Sequence, residues 1–277
     1  MLEIVAGVHS LPVATPGDFF LRRYPPNVYL VSDGEGALID SGYDNEAAVR
    51  SRLDYLHNLP GLKLSYIVVT HHHPDHVGGA QRIKEATGAK VIIHSLDVSK
   101  AKETLKGIAV DRVLEDGDTL KIGNTRLEFV HTPGHTMGHV CIFDRERGFL
   151  FTGDHILGAG TTAVNPPDGD MALYMGSLKK LLSLDIKVIF PGHGESIKEP
   201  HRKIEELLQH RRERERQVLD YLEQGAKTPE ELLGLIYPEL HQDLHDMAKG
   251  QMISHLIKLE REGKAEALKD GKGYRAK

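Results

Sequence analysis

A histidine-rich loop constrains this chain more than any other stretch of its sequence. Residues 70–79 read THHHPDHVGG and place four histidines and one aspartate within six positions. The loop directly follows LSYIVVT, an apolar run with the length and β-branched content of a buried strand. A fold that contains this loop holds several imidazoles side by side at the end of a strand.

The spacing within the loop separates two pairs of metal-ligating side chains. In extended backbone, residues two apart point the same way, so His71 and His73 face one point. Pro74 breaks the extension, and Asp75 and His76 are presented together on the following turn. Four such side chains are more than one metal ion needs from one loop, which favours two neighbouring metal positions.

Three further predicted strands end in residues of the same chemical type. The Gly-rich segment HTPGHTMGH places His135 after TRLEFVH, FLFTGD ends in Asp154, and VIFPGHG places His193 after the last strand. Ligating residues at the same ends of strands converge on one rim of a layered fold, where active sites are favoured. Imidazole and carboxylate ligands suit zinc, and iron or manganese also fit this set.

The histidine-rich motif, followed in order by His135, Asp154 and His193, resembles the metallo-β-lactamase superfamily, and the resemblance covers residues 1–196. The resemblance implies an α/β fold, the αββα sandwich, with a binuclear site at its edge and two zinc ions per chain. It also implies which residue binds which ion. The implied ligands are His71, His73 and His135 for the first ion, Asp75, His76 and His193 for the second, and Asp154 as the bridge between them.

Other residues around these ligands are assigned supporting roles. Two metal ions about 3.5–4 Å apart lower the pKa of a shared water, so we expect a bridging hydroxide that attacks a carbonyl or phosphorus centre. Asp75 is the predicted catalytic residue, which orients this hydroxide and later accepts its proton. Asp40 in LIDSG and Thr70 are predicted to orient ligands, because ligating histidines usually donate their other N–H to such a partner. His155 is a candidate substrate contact, and His72 is predicted not to be a ligand.

The character of the sequence changes after the last predicted strand. Residues 198–223 and 241–262 have helical patterns, and TPEE at 228–231 is a strong helix start. KAEALKDGKGYRA then reads as a hairpin that turns on Asp-Gly. Helices followed by a small hairpin predict a winged-helix-like domain. We therefore expect a metallo-β-lactamase domain at 1–196 and a winged-helix-like domain at 197–277.

A second resemblance, to a group that carries a C-terminal domain of this kind, implies two classes of substrate. GAGTTAVNPPDGDMALYMGSLKKLL and LHDMAKGQMISHLIKLEREGKAE are similar to the β-lactamase-like protein 2 group, which carries such a tail. That group includes a single-strand endoribonuclease, so one implied substrate is single-stranded RNA, cleaved at a phosphodiester. Related chains act as thioesterases on carrier proteins, so the other is an acyl ester or thioester, including a hydroxyacylglutathione-type reaction.

Two further alternatives stay open. An iron persulfide dioxygenase shares the histidine-rich motif and would carry one iron per chain. A non-catalytic module, in which the tail binds a partner or nucleic acid, is less favoured because the ligand set is intact. The Arg-rich run 210–216 is interleaved with glutamates and is predicted to be a solvated helix face rather than an RNA-binding patch.

Composition limits which binding partners and which cellular compartment we expect. The net charge of −5 weighs against a protein built mainly to bind nucleic acid. A single cysteine, Cys141, excludes an internal disulfide. No apolar run approaches the roughly 20 residues of a membrane span, and the first residues lack a signal-peptide pattern. We expect a cytoplasmic protein without a membrane partner, and its oligomeric state is not set by the sequence.

Overall fold

The chain divides into two compact units. The computed structural model describes residues 2–11, 25–104, 107, 109–269 and 271–277. The first unit comprises Met1–Thr132, Gly138–Thr161 and Leu184–Pro200, and the second comprises Pro133–Met137, Thr162–Ser183 and His201–Lys277. Two segments before residue 196 thus belong to the second unit. The predicted division into 1–196 and 197–277 stays a prediction.

Within the described residues, the first unit contains a seven-stranded sheet whose strands follow chain order. The strands are β1 (Leu2–Val5), β2 (Val8–Leu11), β3 (Val28–Asp33), β4 (Glu35–Ile39), β5 (Lys63–Val68), β6 (Lys90–His94) and β7 (Arg112–Leu114). Strands β1 to β4 pair antiparallel, and β4 to β7 pair parallel. The parallel part needs crossover connections, and helices provide them. These are α1 (Glu46–His57), α2 (Pro74–Val77), α3 (Ala80–Thr87) and α4 (Val98–Thr104).

A second sheet of the first unit has five strands among the described residues, in the order β12-β11-β10-β9-β8. Its strands are β8 (Thr119–Ile122), β9 (Thr125–His131), β10 (Val140–Asp144), β11 (Phe149–Gly153) and β12 (Val188–Pro191). The last two pair parallel and the others antiparallel.

The two sheets share one apolar core. Val31 and Ile39 of the first sheet pack with Phe129, Phe151 and Phe190 of the second, and all five are buried. Complete burial of each such side chain contributes about 1.5–3 kcal/mol. The other face of the first sheet packs against α1 and α3 in a second core. This layering is what the predicted sandwich requires.

Strand register brings the functional loops to one edge of each sheet. Ile39 at the end of β4 is opposite Val68 at the end of β5. Gly153 at the end of β11 is opposite Pro191 at the end of β12. Because both pairs of strands are parallel, the residues that follow them leave the sheet at the same end.

The second unit is helical with a small hairpin. Its elements include α5 (Met171–Leu181), α6 (Pro200–Glu223), α7 (Pro229–Ile236), α8 (His245–Arg261), β13 (Ala265–Ala267) and β14 (Tyr274–Ala276). α7 begins at the predicted position, where Thr228 and Glu231 form a reciprocal capping box. α8 starts at His245 instead of residue 241, because Gln242–Leu244 forms a 3₁₀ turn. The turn of the hairpin includes residue 270, which lies outside the described residues.

One expectation about α6 is wrong. Arg211 is 2% exposed and Glu215 is 8% exposed, so the run 210–216 is not a fully solvated face. The long helix packs one side into the second unit, and both residues lie on that side. Arg216 does behave as predicted, since it is exposed and pairs with Glu213 and Asp220 on the same helix. No helix in the described ranges combines the length and apolarity needed to cross a membrane.

Candidate metal centre

The histidine-rich loop runs from the end of β5 into α2. His73 has extended backbone torsions, with φ −65° and ψ 147°, and Pro74 begins the helix. The chain therefore changes direction at the proline, as the spacing predicts. His71 and His76 are both completely buried, so the loop turns these two imidazoles into the protein and not toward solvent.

His71 and His73 meet, and the residue between them points elsewhere. The Nε2 atom of His71 lies 3.0 Å from Nδ1 of His73. Nδ1 of His72 lies 2.9 Å from Oδ2 of Asp97, a different part of the first unit. The alternation expected for extended backbone accounts for both directions.

Asp75 and His76, the second pair of the loop, lie beside two residues that follow strands. Asp154 follows β11, and His193 follows β12. Oδ1 of Asp154 lies 3.2 Å from Nε2 of His76 and 3.4 Å from Nε2 of His193. Oδ2 of Asp75 lies 3.2 Å from Nε2 of His193. Within the described residues of the first unit, two groups of three have all their ligating atoms within 4.8 Å of one another, namely His71, His76 and Asp154, and Asp75, His76 and His193.

His135 lies in the second unit, and that unit orients its ring. Nδ1 of His135 is 2.6 Å from the carbonyl oxygen of Ala163. A carbonyl oxygen only accepts hydrogen bonds, so Nδ1 carries the proton and Nε2 presents a lone pair. This is the tautomer that a ligating imidazole needs.

Asp40 connects the loop to the end of β4. Its Oδ1 accepts a hydrogen bond from the Thr70 backbone N–H at 2.8 Å, and its Oδ2 accepts from the Thr70 hydroxyl at 2.9 Å and from His76 Nδ1 at 2.7 Å. The Thr70 hydroxyl donates to the carboxylate, so it accepts from His71 Nδ1, 3.0 Å away. When each of these two rings is neutral, its proton therefore lies on Nδ1 and its lone pair on Nε2.

The backbone of Asp40 is unusual. It is buried and has φ +61°, the left-handed region that non-glycine residues rarely adopt. Such strain persists where the surroundings impose it, and it clusters at functional sites.

Charges in this cluster shift one another's pKa values. Burial lowers the pKa of His76, but the carboxylates of Asp154, Asp40 and Asp75 outweigh it and raise that pKa well above its usual range. Burial likewise lowers the pKa of His193, and Asp154 and Asp75 bring it above the usual value. Burial raises the pKa of Asp75, but His76 and His193 lower it overall. The carboxylates thus favour the positively charged forms of His76 and His193.

The donor set fits a divalent metal ion. Nε2 of His76 is buried and forms no hydrogen bond within the described part of the chain, and a carboxylate oxygen faces it. Two ligating nitrogens of one tetrahedral zinc lie about 3.3 Å apart when each Zn–N bond is ~2.0–2.1 Å. The separations of 3.0 to 3.4 Å between His71 and His73 and between Asp154 and its two histidines are of this size.

Two more histidines lie close to these residues. His139 is buried, with its ring centroid 5.3 Å from that of His71 and its Nδ1 2.9 Å from the Thr132 hydroxyl. His155 is completely buried. Its predicted contact with substrate stays a prediction, and such a contact requires its neighbours to move.

The sequence did not single out Asp97 as part of this region. This buried residue accepts hydrogen bonds from the backbone and side chain of His72 through Oδ2, and from the Gly138 backbone N–H through Oδ1 at 2.8 Å. Asp97 lies three residues after β6. This position just after a strand, which the proposed ligands share, is the feature of the sequence that could have indicated it.

The architecture and the cluster define a class of protein: a two-sheet sandwich with a metal-type site of histidines and aspartates at one edge. Residues 21–193 match the metallo-β-lactamase superfamily, and residues 228–273 match the β-lactamase-associated winged-helix domain. The chain belongs to the metallo-β-lactamase superfamily, whose members are generally hydrolases, and the predicted sandwich and winged-helix-like tail are confirmed.

Curated relatives span most of the chain. It is 34% identical over 255 residues to the β-lactamase-like protein 2 homolog of Drosophila melanogaster, covering 88% of this chain and 85% of that one. It is 32% identical over 249 residues to the atrochrysone carboxyl ACP thioesterase of Aspergillus fumigatus, covering 83% and 73%.

Solved structures agree with the fold. A metallo-β-lactamase family protein of Thermus thermophilus has a TM-score of 0.82 and 27% identity, covering 99% of this chain and 100% of that one. A protein solved in a di-iron-bound form has a TM-score of 0.54 and 30% identity, covering 68% and 93%.

Proposed function

We propose that this protein is a binuclear zinc hydrolase that cleaves an acyl ester or thioester. The observation that carries the proposal is the meeting of Asp75, His76, Asp154 and His193, with the buried Nε2 of His76 facing a carboxylate oxygen. The proposed ligands are His71, His73 and His135 for one ion, Asp75, His76 and His193 for the other, and Asp154 between them.

The chain's own residues prepare this chemistry. When bound, two divalent ions lower the pKa of a water molecule and polarise the substrate oxygen. Asp40 and Thr70 hold His71 and His76 in one tautomer and one orientation. His76 and His193 lower the pKa of Asp75, so it remains a carboxylate at neutral pH, and we assign it to orient the attacking water. We also assign it to accept the proton of that water, a role for which a lowered pKa is no advantage.

Zinc is proposed because imidazole and carboxylate ligands suit it and because hydrolysis needs no redox change. The relative in a di-iron-bound form keeps iron as the alternative. Metal analysis of the purified protein separates these cases. Two zinc ions per chain support the proposal, whereas one iron per chain would favour the persulfide dioxygenase reaction.

The thioester is the preferred substrate for two reasons. A relative that aligns over 83% of this chain is an acyl carrier protein thioesterase. The net charge of −5 opposes the binding of a polyanion. Cleavage of single-stranded RNA is the second candidate. It is supported by the resemblance to the β-lactamase-like protein 2 group and the 88% coverage of this chain by such a homolog.

A turnover panel on zinc-loaded protein tests the proposal. The substrates are an acyl-pantetheine thioester, a bis-aryl phosphodiester, labelled single-stranded RNA and a β-lactam, each also offered to the Asp154→Ala variant. We expect thioester turnover that disappears in the variant. Turnover of RNA alone would move the assignment to the second candidate, and equal rates with both proteins would overturn a metal-dependent function.

A further inference from the structure

Arg211 is a buried cation of the second unit that the hydrolytic chemistry does not use. It lies on α6 and is 2% exposed. Its Nη1 donates to Oε1 of Gln251 on α8 at 2.6 Å, and its Nη2 donates to the carbonyl oxygen of Thr162 at 2.7 Å. Its guanidinium carbon lies 5.3 Å from the centre of the Tyr174 ring on α5. A buried arginine with such contacts fixes the groups around it, because moving them would leave its charge unsolvated.

The carbonyl that Arg211 holds is adjacent to the carbonyl that orients His135. Thr162 and Ala163 are consecutive, and the Ala163 oxygen accepts from Nδ1 of His135 at 2.6 Å. The two carbonyls belong to consecutive peptide planes that meet at the Cα of Ala163, so only the φ and ψ of that residue separate them. A change at Thr162 therefore displaces the acceptor that sets the tautomer of His135.

Tyr174 links Arg211 to the loop that carries His135. A Cβ added at Gly134 would lie 2.3 Å from the Cα of Tyr174, so the loop packs directly on α5. The backbone of Gly134 also accepts a hydrogen bond from the Asp170 N–H at 2.9 Å, and the hydroxyl of Ser177 donates to the Pro133 carbonyl at 2.8 Å. The 133–137 loop is thus held by α5 on one side and by Ala163 on the other.

We infer that Arg211 is a positioning residue: from the C-terminal helices it fixes the peptide at 162–163 and the face of Tyr174, and thereby keeps His135 in the tautomer that ligates metal through Nε2. The inference rests on the proposed assignment of His135 as a ligand. It gives the appended helices a role in the hydrolytic site that does not depend on their binding nucleic acid or a partner.

The direct test reads the tautomer of His135 in the full-length, metal-free protein. Nitrogen-15 histidine labelling reports which ring nitrogen carries the proton, and the His135→Gln variant identifies the signal. We expect the Nδ1–H tautomer in the unmodified chain, a mixture in Arg211→Met, and a result between the two in Arg211→Lys, which keeps the charge but has one donor nitrogen in place of two. Arg216→Met, an exposed arginine on the same helix, is the matched control and should leave the signal unchanged.

A second measurement follows metal retention against a chelator. Loss of an outer partner of a ligating histidine lowers metal affinity about 10- to 100-fold. We expect Arg211→Met to lose one of its two ions at a chelator concentration about 10- to 100-fold lower than the unmodified protein requires, and to keep the other. Folding is checked by circular dichroism, and if Arg211→Met does not fold, the Arg211→Lys result decides.

The two readouts separate this inference from the proposed function. An unchanged tautomer and unchanged metal retention in a folded Arg211 variant would overturn the positioning role. If the unmodified protein bound no metal, the proposed function would fail, and the tautomer in the metal-free protein would still decide the role of Arg211.

Discussion

Asp40 illustrates how a single carboxylate can orient two proposed ligands. It accepts from Thr70 twice and from His76 once, although its own φ of +61° is unfavourable. Three hydrogen bonds in a buried setting outweigh a strain that costs of order 1–3 kcal/mol. The residue contacts no reacting atom, but two imidazole tautomers depend on it.

Replacing Asp40 by Asn tests this dependence. The amide offers one acceptor instead of two, and its NH₂ group opposes the Nδ1–H of His76 or the hydroxyl of Thr70. We expect metal affinity to fall about 10- to 100-fold, measured by chelator competition. Thr70→Ser, which keeps the hydroxyl, is the control and should bind metal almost normally. An Asp40→Asn protein with unchanged affinity would show that the orientation of His76 does not need the carboxylate.

His72, in contrast, is a histidine of the same loop that we do not assign to the metal site. It lies between two proposed ligands but pairs with Asp97. We expect His72→Gln to retain both metal ions and to lose about 1–3 kcal/mol of stability, because a buried acceptor loses a strong donor. Metal content and urea denaturation report these two effects separately. Loss of a metal ion in this variant, with normal folding, would make His72 a ligand.

At the scale of elements, helix α5 supports the loop of His135, and Asp170 begins this helix. Its side chain accepts from the Leu173 backbone N–H at 3.0 Å and pairs with Arg261 of α8. Burial raises the pKa of Asp170, but the Leu173 N–H and Arg261 lower it overall. The carboxylate is therefore more stable in the folded than in the unfolded protein.

The sign of the pH dependence follows from this depressed pKa. Asp170 contributes stability above its unfolded pKa of about 3.9 and loses that contribution as pH falls through its lower folded pKa. We expect Asp170→Asn to be less stable than the unmodified chain at neutral pH, with a deficit that shrinks below about pH 4. Urea denaturation of both proteins at neutral and acid pH measures it. A deficit that does not change with pH would mean that the charge of Asp170 is not involved.

At the scale of the whole molecule, metal binding and folding are linked. A ligand present at 1,000 times its dissociation constant stabilises the folded state by about 4 kcal/mol. For a chain near this size that corresponds to a rise in Tm of roughly 8–16 °C. Calorimetry with zinc and with chelator should show this difference, and Asp154→Ala should reduce it. Equal Tm values under both conditions would contradict a metal site built from these residues.

The composition of the second unit makes a further prediction. The second unit combines two earlier segments, 133–137 and 162–183, with residues 201–277. A chain that ends at Pro200 removes Arg211 and Arg261, so we expect residues 162–183 to become sensitive to limited proteolysis and one metal ion to be lost. A truncated chain that keeps both ions and resists protease as before would show that residues 1–200 do not need the C-terminal helices.

Much of this protein follows from short-range patterns. The alternation of His71, His72 and His73, the turn at Pro74 and the capping box at Thr228 are local, so neighbouring residues suffice to predict them. The ends of four apolar strands likewise indicated where the remaining proposed ligands lie.

Tertiary structure alone decided the rest. Asp97 reaches His72 from 25 residues away, and Arg211 reaches Thr162 from 49 residues away. Such pairs leave no periodic trace, because each depends on how two distant elements pack. The burial of Arg211 within an apparently solvated run has the same cause. The local sequence predicts the proposed ligands and the strands that present them, because both depend on neighbouring residues. The packing of the chain determined which buried groups hold those ligands in place.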